Sequence, residues 1–166
     1  MISIRASLGM TAAMLAMASV SACSQKPAEE PAATAPTETA AAPVAAEKIA
    51  VDNVDTLAGV KFASFTGDAA AGEKAFAVCK TCHAVEAGKN MVGPSLHAIQ
   101  GRKSGSIPGY SYSTANKNSG ITWTNEKLFQ YLEAPQRIIP GTKMTYTGLK
   151  DPQKRADVIA YLDTQG

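Results

Sequence analysis

The chain has 166 residues, with 16 Lys+Arg against 14 Asp+Glu and a formal charge of only +2. At ~100–200 residues per domain this is one domain plus attachments. The near-neutral balance excludes a strongly basic nucleic-acid binder, and three cysteines, an odd number, exclude a simple disulfide framework.

Residues 1–22 read as an export signal: Arg5 and the amino terminus supply the charge, and Leu8 to Val20 form a 13-residue apolar run. A transmembrane helix needs ~20 such residues, so the run is too short to span. It ends Val20-Ser21-Ala22-Cys23. The tetrapeptide resembles the lipobox of bacterial lipoproteins, which implies cleavage before Cys23 and lipidation of its sulfur and amine. Ordinary cleavage after Ala22 is the plainer alternative, and it would leave an exposed thiol, a chemical liability. The expected location is the periplasmic face of a bacterial membrane, lipid-anchored.

Residues 24–48 hold nine Ala, four Pro, four Glu and three Thr and no aromatic residue. Such a segment cannot bury enough surface to offset its conformational entropy. The expected organisation is a flexible lipid-anchored linker over 23–48. Spaced prolines stiffen it toward polyproline II at ~3.1 Å per residue. Residues 49–65 carry Ile49, Val51, Val54, Leu57, Val60, Phe62 and Phe65, too apolar for a free linker. They are expected to serve as a linker or, in part, as an extension packing on the next domain.

The globular domain is expected over 66–166. Asp68 before Ala69-Ala70-Ala71-Gly72-Glu73-Lys74-Ala75-Phe76 reads as a capped helix. Residues 88–122, dense in Gly, Ser, Asn and Pro, read as loops. Thr124 or Asn125 caps a second helix with Leu128, Tyr131 and Leu132 on one face, ended at Pro135. Pro152 opens a third at its first position, with Val158, Ile159, Tyr161 and Leu162 on its apolar side. No lasting period-2 alternation marks a strand, so the fold class is all-α: three main helices and loops. About 100 residues built this way are marginal by apolar burial alone, and a further organising element is required.

That element is indicated by Cys79-Lys80-Thr81-Cys82-His83. C-x-x-C-H is the attachment motif of c-type haem. Two thiols three residues apart lie on one side of a helical turn, each able to add to a vinyl group, and the adjacent His presents an imidazole from the same side. A thioredoxin-like pair needs no His and sits in an α/β context. A zinc site needs further ligands, and the domain holds no other Cys. Candidates for a sixth iron ligand are His97, Met91 and Met144, the last on the loop after Pro140-Gly141. A thioether donor raises the reduction potential relative to a second imidazole.

From about Gly67 to Gln165 the chain resembles mitochondrial cytochrome c and its bacterial relatives. The resemblance rests on Gly67-Asp68, Cys79 to His83, Gly93-Pro94-Ser95-Leu96-His97, Gly101-Arg102-Lys103, Ala115-Asn116-Lys117-Asn118, Gly120-Ile121-Thr122-Trp123, Tyr131-Leu132-Glu133, Ile139 to Met144 and Ile159-Ala160-Tyr161-Leu162. It implies the small cytochrome c fold around one haem c, covalently attached through Cys79 and Cys82, with His83 and Met144 as the iron's axial ligands. By the same resemblance, the Pro94 carbonyl accepts from the His83 ring and Tyr131 bonds the Met144 sulfur. Arg102, Tyr112, Trp123 and Thr142 satisfy the haem propionates, and Asn116 belongs to a polar network beside the iron. Gly72 and Phe76 match the helix face that crosses the last helix at Val158 and Tyr161.

Positions where the family carries a ring of partner-docking lysines are here Val78, Met91, Gln136, Asp151 and Pro152, while Lys80, Lys89, Arg137, Lys143 and Lys150 remain. Long-range steering should therefore be weaker, and a tether, by raising effective concentration, compensates. The expected function is a monomeric, membrane-anchored one-electron carrier between a quinol-oxidising complex (quinol–cytochrome c reductase) and a terminal oxidase or other periplasmic acceptor, not an enzyme. A peroxidase-like enzyme or a gas sensor would need an open or exchangeable sixth position.

Overall fold

The structure, a computed structural model, describes residues 49–166. The expected signal peptide (1–22), the lipidation site Cys23 and the linker 23–48 lie outside the described residues. Five α-helices follow in order: α1 Ala69–Ala75, α2 Thr114–Lys117, α3 Asn125–Glu133, α4 Pro135–Ile138 and α5 Pro152–Asp163. Short 3-10 segments occupy Phe62–Ser64 and Phe76–Thr81. Among the described residues the only bridge is an isolated antiparallel one, Lys103 to Thr122. No described helix is long and apolar enough to cross a membrane.

Helix starts follow their local chemistry. The Asp68 carboxylate accepts from Ala70 and Ala71 N–H, Thr124 Oγ1 accepts from Lys127 N–H, and Asp151 accepts from Gln153 and Lys154 N–H with Pro152 just inside. Each side chain satisfies donors that the first turn leaves without a partner. The Ala70 and Ala71 bonds hold the Asp68 carboxyl below its usual range.

The frame of the molecule is the crossing of α1 on α5. Gly72 lies at the contact, where a Cβ would overlap the Asp157 carbonyl and crowd Tyr161 Cβ. Phe76, 1% exposed, stacks on Tyr161 with ring centroids 5.2 Å apart. In an exposed helix Gly→Ala gains about 1 kcal/mol. Here the sign reverses: Gly72→Ala is expected to destabilise by roughly 1–3 kcal/mol through overpacking. The check is a chemical denaturation midpoint that falls with unchanged slope.

The 49–65 segment is part of the packed body. Ile49, Val60, Phe62 and Phe65 contact the core, and Phe62 and Phe65 place their rings 5.7 and 5.6 Å from Phe129 of α3. Between α4 and α5 runs a loop anchored by buried Ile138 and Ile139. Its first turn is Ile139-Pro140-Gly141-Thr142, closed by Thr142 N–H on the Ile139 carbonyl at 3.0 Å. Proline at the second position with Gly141 at φ +85° gives the pattern of a type II turn, which a side chain at the third position would strain.

Candidate functional site

One cavity of about 310 Å³ runs through the middle of the fold, the size of a small-molecule or cofactor site. Its apolar wall comes from Phe76, Leu96, Ile99, Leu128, Val158 and Leu162. All the site residues expected in the haem domain line it: Cys79, Cys82, His83, Pro94, Arg102, Tyr112, Asn116, Trp123, Tyr131, Thr142 and Met144. Of the three sixth-ligand candidates only Met144 does so. Met91 is exposed, and His97 packs its ring near Gly166.

The turn Phe76–Thr81 continues α1 and places Cys79 and Cys82 at the cavity, both half-buried and not joined in a disulfide. Burial pushes the Cys79 thiol up to about 11, so it stays neutral. His83 follows with its N–H on the Cys79 carbonyl at 2.9 Å. Its Nδ1 lies 2.8 Å from the Pro94 carbonyl oxygen, an acceptor, so Nδ1 carries the proton and the lone pair is on Nε2. Burial, against the opposing effect of that bond, lowers the His83 pKa and keeps the ring neutral. Gly93 is backed directly onto this ring: a Cβ there would overlap His83.

Met144 is held on three sides. The buried Tyr131 hydroxyl donates to its sulfur at 3.4 Å, its N–H donates to Thr142 Oγ1 at 3.3 Å, and Gln136 Nε2 donates to its carbonyl at 2.9 Å. Burial pushes the Tyr131 phenol up to about 12, with Thr142 opposing, so it remains a donor. Trp123 packs on Tyr131 at 4.8 Å between centroids.

On the polar side, Arg102 donates to the carbonyls of His97 at 2.8 Å and Ser95 at 3.0 Å. Those bonds fix its cation at the cavity, and burial lowers its pKa. Tyr112 stands edge-on to Tyr110 at 4.7 Å. Asn116 accepts at Oδ1 from the Ser113 hydroxyl at 2.9 Å. Gly93 entered the sequence reading only as part of the Gly93-Pro94-Ser95-Leu96-His97 resemblance and Gln136 only as a replaced docking lysine, so neither was read as supporting His83 or Met144. Gln136 reaches Met144 only through the 134–144 chain reversal, and Gly93 matters only because His83 folds against it.

The donor set fits a covalently bound haem: two thiols outside any disulfide, one imidazole with its lone pair on Nε2, one thioether and one fixed cation around an apolar cavity. Among the described residues no three His, Cys, Asp or Glu side chains cluster to hold a metal ion, so the cysteine pair lacks the further ligands of a zinc site.

The comparisons agree with that chemistry. The family model described as Cytochrome c matches residues 69–166. A cytochrome c2 of Rhodopila globiformis is 57% identical over 99 residues, covering 59% of this chain and 93% of the relative. A cytochrome c of Arabidopsis thaliana is 49% identical over 104 residues, covering 61% and 93%. Among solved structures, cytochrome cH from Methylobacterium extorquens aligns with a TM-score of 0.57 and 54% identity, over 59% of this chain and 99% of that one.

Proposed function

Because the chain belongs to the cytochrome c family, whose members are electron carriers with haem c attached through a cysteine pair, we propose that it is a membrane-anchored one-electron carrier between a quinol–cytochrome c reductase and a terminal oxidase. When bound, the haem supplies a one-electron iron couple. Cys79 and Cys82 would hold it through thioethers, and His83 Nε2 and Met144 Sδ would be the donors to its iron. The observation that carries this reading is the convergence of the C-x-x-C-H turn and Met144 on one cavity.

The residues around the cavity serve a carrier. Pro94 orients the imidazole of His83 and raises its basicity. Tyr131 and Thr142 hold Met144 in place before and after electron transfer, so little rearrangement accompanies the change of charge. Arg102, fixed by two carbonyls, would offset the propionate charge, with the Tyr112 hydroxyl and the Trp123 indole N–H as neutral donors, and Asn116 would contribute polar surroundings near the iron. A thioether held this way disfavours the open sixth position that a peroxidase-like enzyme or a gas sensor needs. Acid–acetone extraction of the denatured protein tests the attachment: haem stays with the polypeptide, and its release would overturn the thioether assignment.

Export, cleavage before Cys23 and lipidation place the carrier on the periplasmic face of a bacterial membrane. A lipoprotein terminus carries two or more acyl chains, enough for stable anchoring. The cytochrome is therefore expected to pellet with membranes and to resist a salt wash that would screen a charge-held protein. Cys23→Ser, if still exported and cleaved, is expected in the soluble periplasmic fraction with an unchanged haem spectrum. Mass spectrometry showing an unmodified Cys23 at the mature terminus would refute the anchor.

A further inference from the structure

The stripe Lys127, Gln130 and Glu133 recurs at every third residue of α3, so it occupies one helix face. Three polar side chains so spaced belong at the surface, yet their exposures are 3%, 0% and 3%. The cover is the strap 53–58, which precedes the 69–166 stretch matched by the family. The Asn53 carbonyl accepts from Lys127 Nζ. Gln130 Nε2 donates to Asn53 Oδ1 at 2.7 Å and to the Asp55 carbonyl at 2.9 Å. The Glu133 carboxylate accepts from the N–H groups of Leu57 and Ala58, and Arg137 Nη1 donates to the Asp55 carbonyl at 3.3 Å.

Glu133 also faces the other way. Its Oε1 lies 3.3 Å from Arg155 Nη2 of α5, both side chains being out of solvent. Arg155 Nη1 in turn donates to the carbonyls of Leu149 and Lys150 at 2.8 and 3.0 Å. Leu149 N–H donates to the Leu132 carbonyl at 2.7 Å, and Lys150 Nζ donates to the Glu133 carbonyl at 2.7 Å. Leu149 and Lys150 form the far end of the loop that carries Met144. One buried carboxylate thus joins the strap to the arginine that pins this loop. A desolvated carboxylate requires donors on all sides. Without the strap's two N–H groups, Glu133 keeps only the Arg155 contact, and water or a rearrangement must replace them.

The geometry points to a clamp: the strap 53–58, acting through Glu133 as a positioning residue, sets how firmly the 139–150 loop stays closed with Met144 against the cavity. This rests on Met144 being the iron ligand. Loosening the clamp raises the population of the open loop without removing any group that touches the cofactor.

Two variants of the full-length holoprotein test it. Glu133→Gln keeps the shape but leaves one strap N–H facing an amide donor. Asn53→Ala removes the Gln130 acceptor on the strap and leaves the Glu133–Arg155 pair intact. Loss of a hydrogen bond to a buried charge corresponds to roughly tenfold or more in an equilibrium. Glu133→Gln is therefore expected to raise the affinity for added imidazole about tenfold, and Asn53→Ala several-fold. In both, hydrogen exchange at the Thr142 and Leu149 amides is expected to rise more than exchange at core amides of α5. Faster exchange spread evenly over loop and core, with imidazole affinity unchanged, would mean ordinary destabilisation and would overturn the clamp. Should Glu133→Gln fail to fold, Asn53→Ala decides by the same two readouts. If wild-type protein binds imidazole without losing its sulfur-to-iron band, the Met144 assignment falls, and the exchange rates at Thr142 and Leu149 still judge the clamp by themselves.

Discussion

Met144→Ala is expected to turn a closed carrier into an open haem protein. The variant loses the sulfur-to-iron charge-transfer band of the oxidised form, binds carbon monoxide when reduced, and gains peroxidase activity. The reason is specific to this loop. Among the described residues Met144 is the one thioether that reaches the cavity, and Tyr131, Thr142 and Gln136 hold it there. Removing an internal competitor worth several kcal/mol raises affinity for added imidazole by on the order of a hundredfold, each 1.4 kcal/mol being tenfold. The reduction potential falls as the thioether is lost. Tyr131→Phe serves as the graded control. It deletes only the hydroxyl that bonds the sulfur, at a cost of about 1 kcal/mol, so the band persists while the potential shifts. Unhindered carbon monoxide binding by the wild type at neutral pH would count against the assignment.

Replacing both Cys79 and Cys82 by Ser is expected to leave the domain unfolded. The cavity they border measures about 310 Å³, and at about 24 cal/mol per Å³ an empty space of that volume costs roughly 7 kcal/mol. That is comparable with the whole stability of an ordinary domain, about 5–15 kcal/mol. Phe76, Ile99, Leu128, Val158 and Leu162, which form the wall, would lose their partner on one side at once. Circular dichroism of the double variant should show the helical signal largely gone. Native-like helicity with a cooperative melt in the absence of haem would show that the core does not depend on it.

Of the five helices, α1, α3 and α5 were legible because their signals are local, whereas the four-residue α2, inside the 88–122 stretch read as loops, and α4, after Pro135, were not. Asp68, Thr124 and Asp151 stand immediately before the helices they cap, and Gly72 with Phe76 predicts a close crossing that the structure shows. Cys79, Cys82 and His83 were legible for the same reason, since five consecutive residues contain the motif. Met144 was not fixed by spacing. His97 and Met91 stand beside it as candidates and only the resemblance favours Met144, because which loop residue faces the cavity is set by the tertiary path. The role of 49–65 was legible only as an excess of apolar residues. Its polar half, Asn53 and Asp55 against Lys127 and Gln130, left no trace in the pattern of α3. A Lys-x-x-Gln-x-x-Glu stripe reads as a solvated face, and its burial is decided by a segment more than 70 residues away, which neither propensity nor period can report.

The central claim, a one-electron carrier with an iron closed by His83 and Met144, is tested most directly by an optical redox titration of the purified full-length protein. The expected result is a single reversible transition with a one-electron slope. The oxidised form shows the sulfur-to-iron band, and the reduced spectrum is unchanged by carbon monoxide. An oxidised spectrum without that band, together with a carbon monoxide shift on reduction, would contradict it.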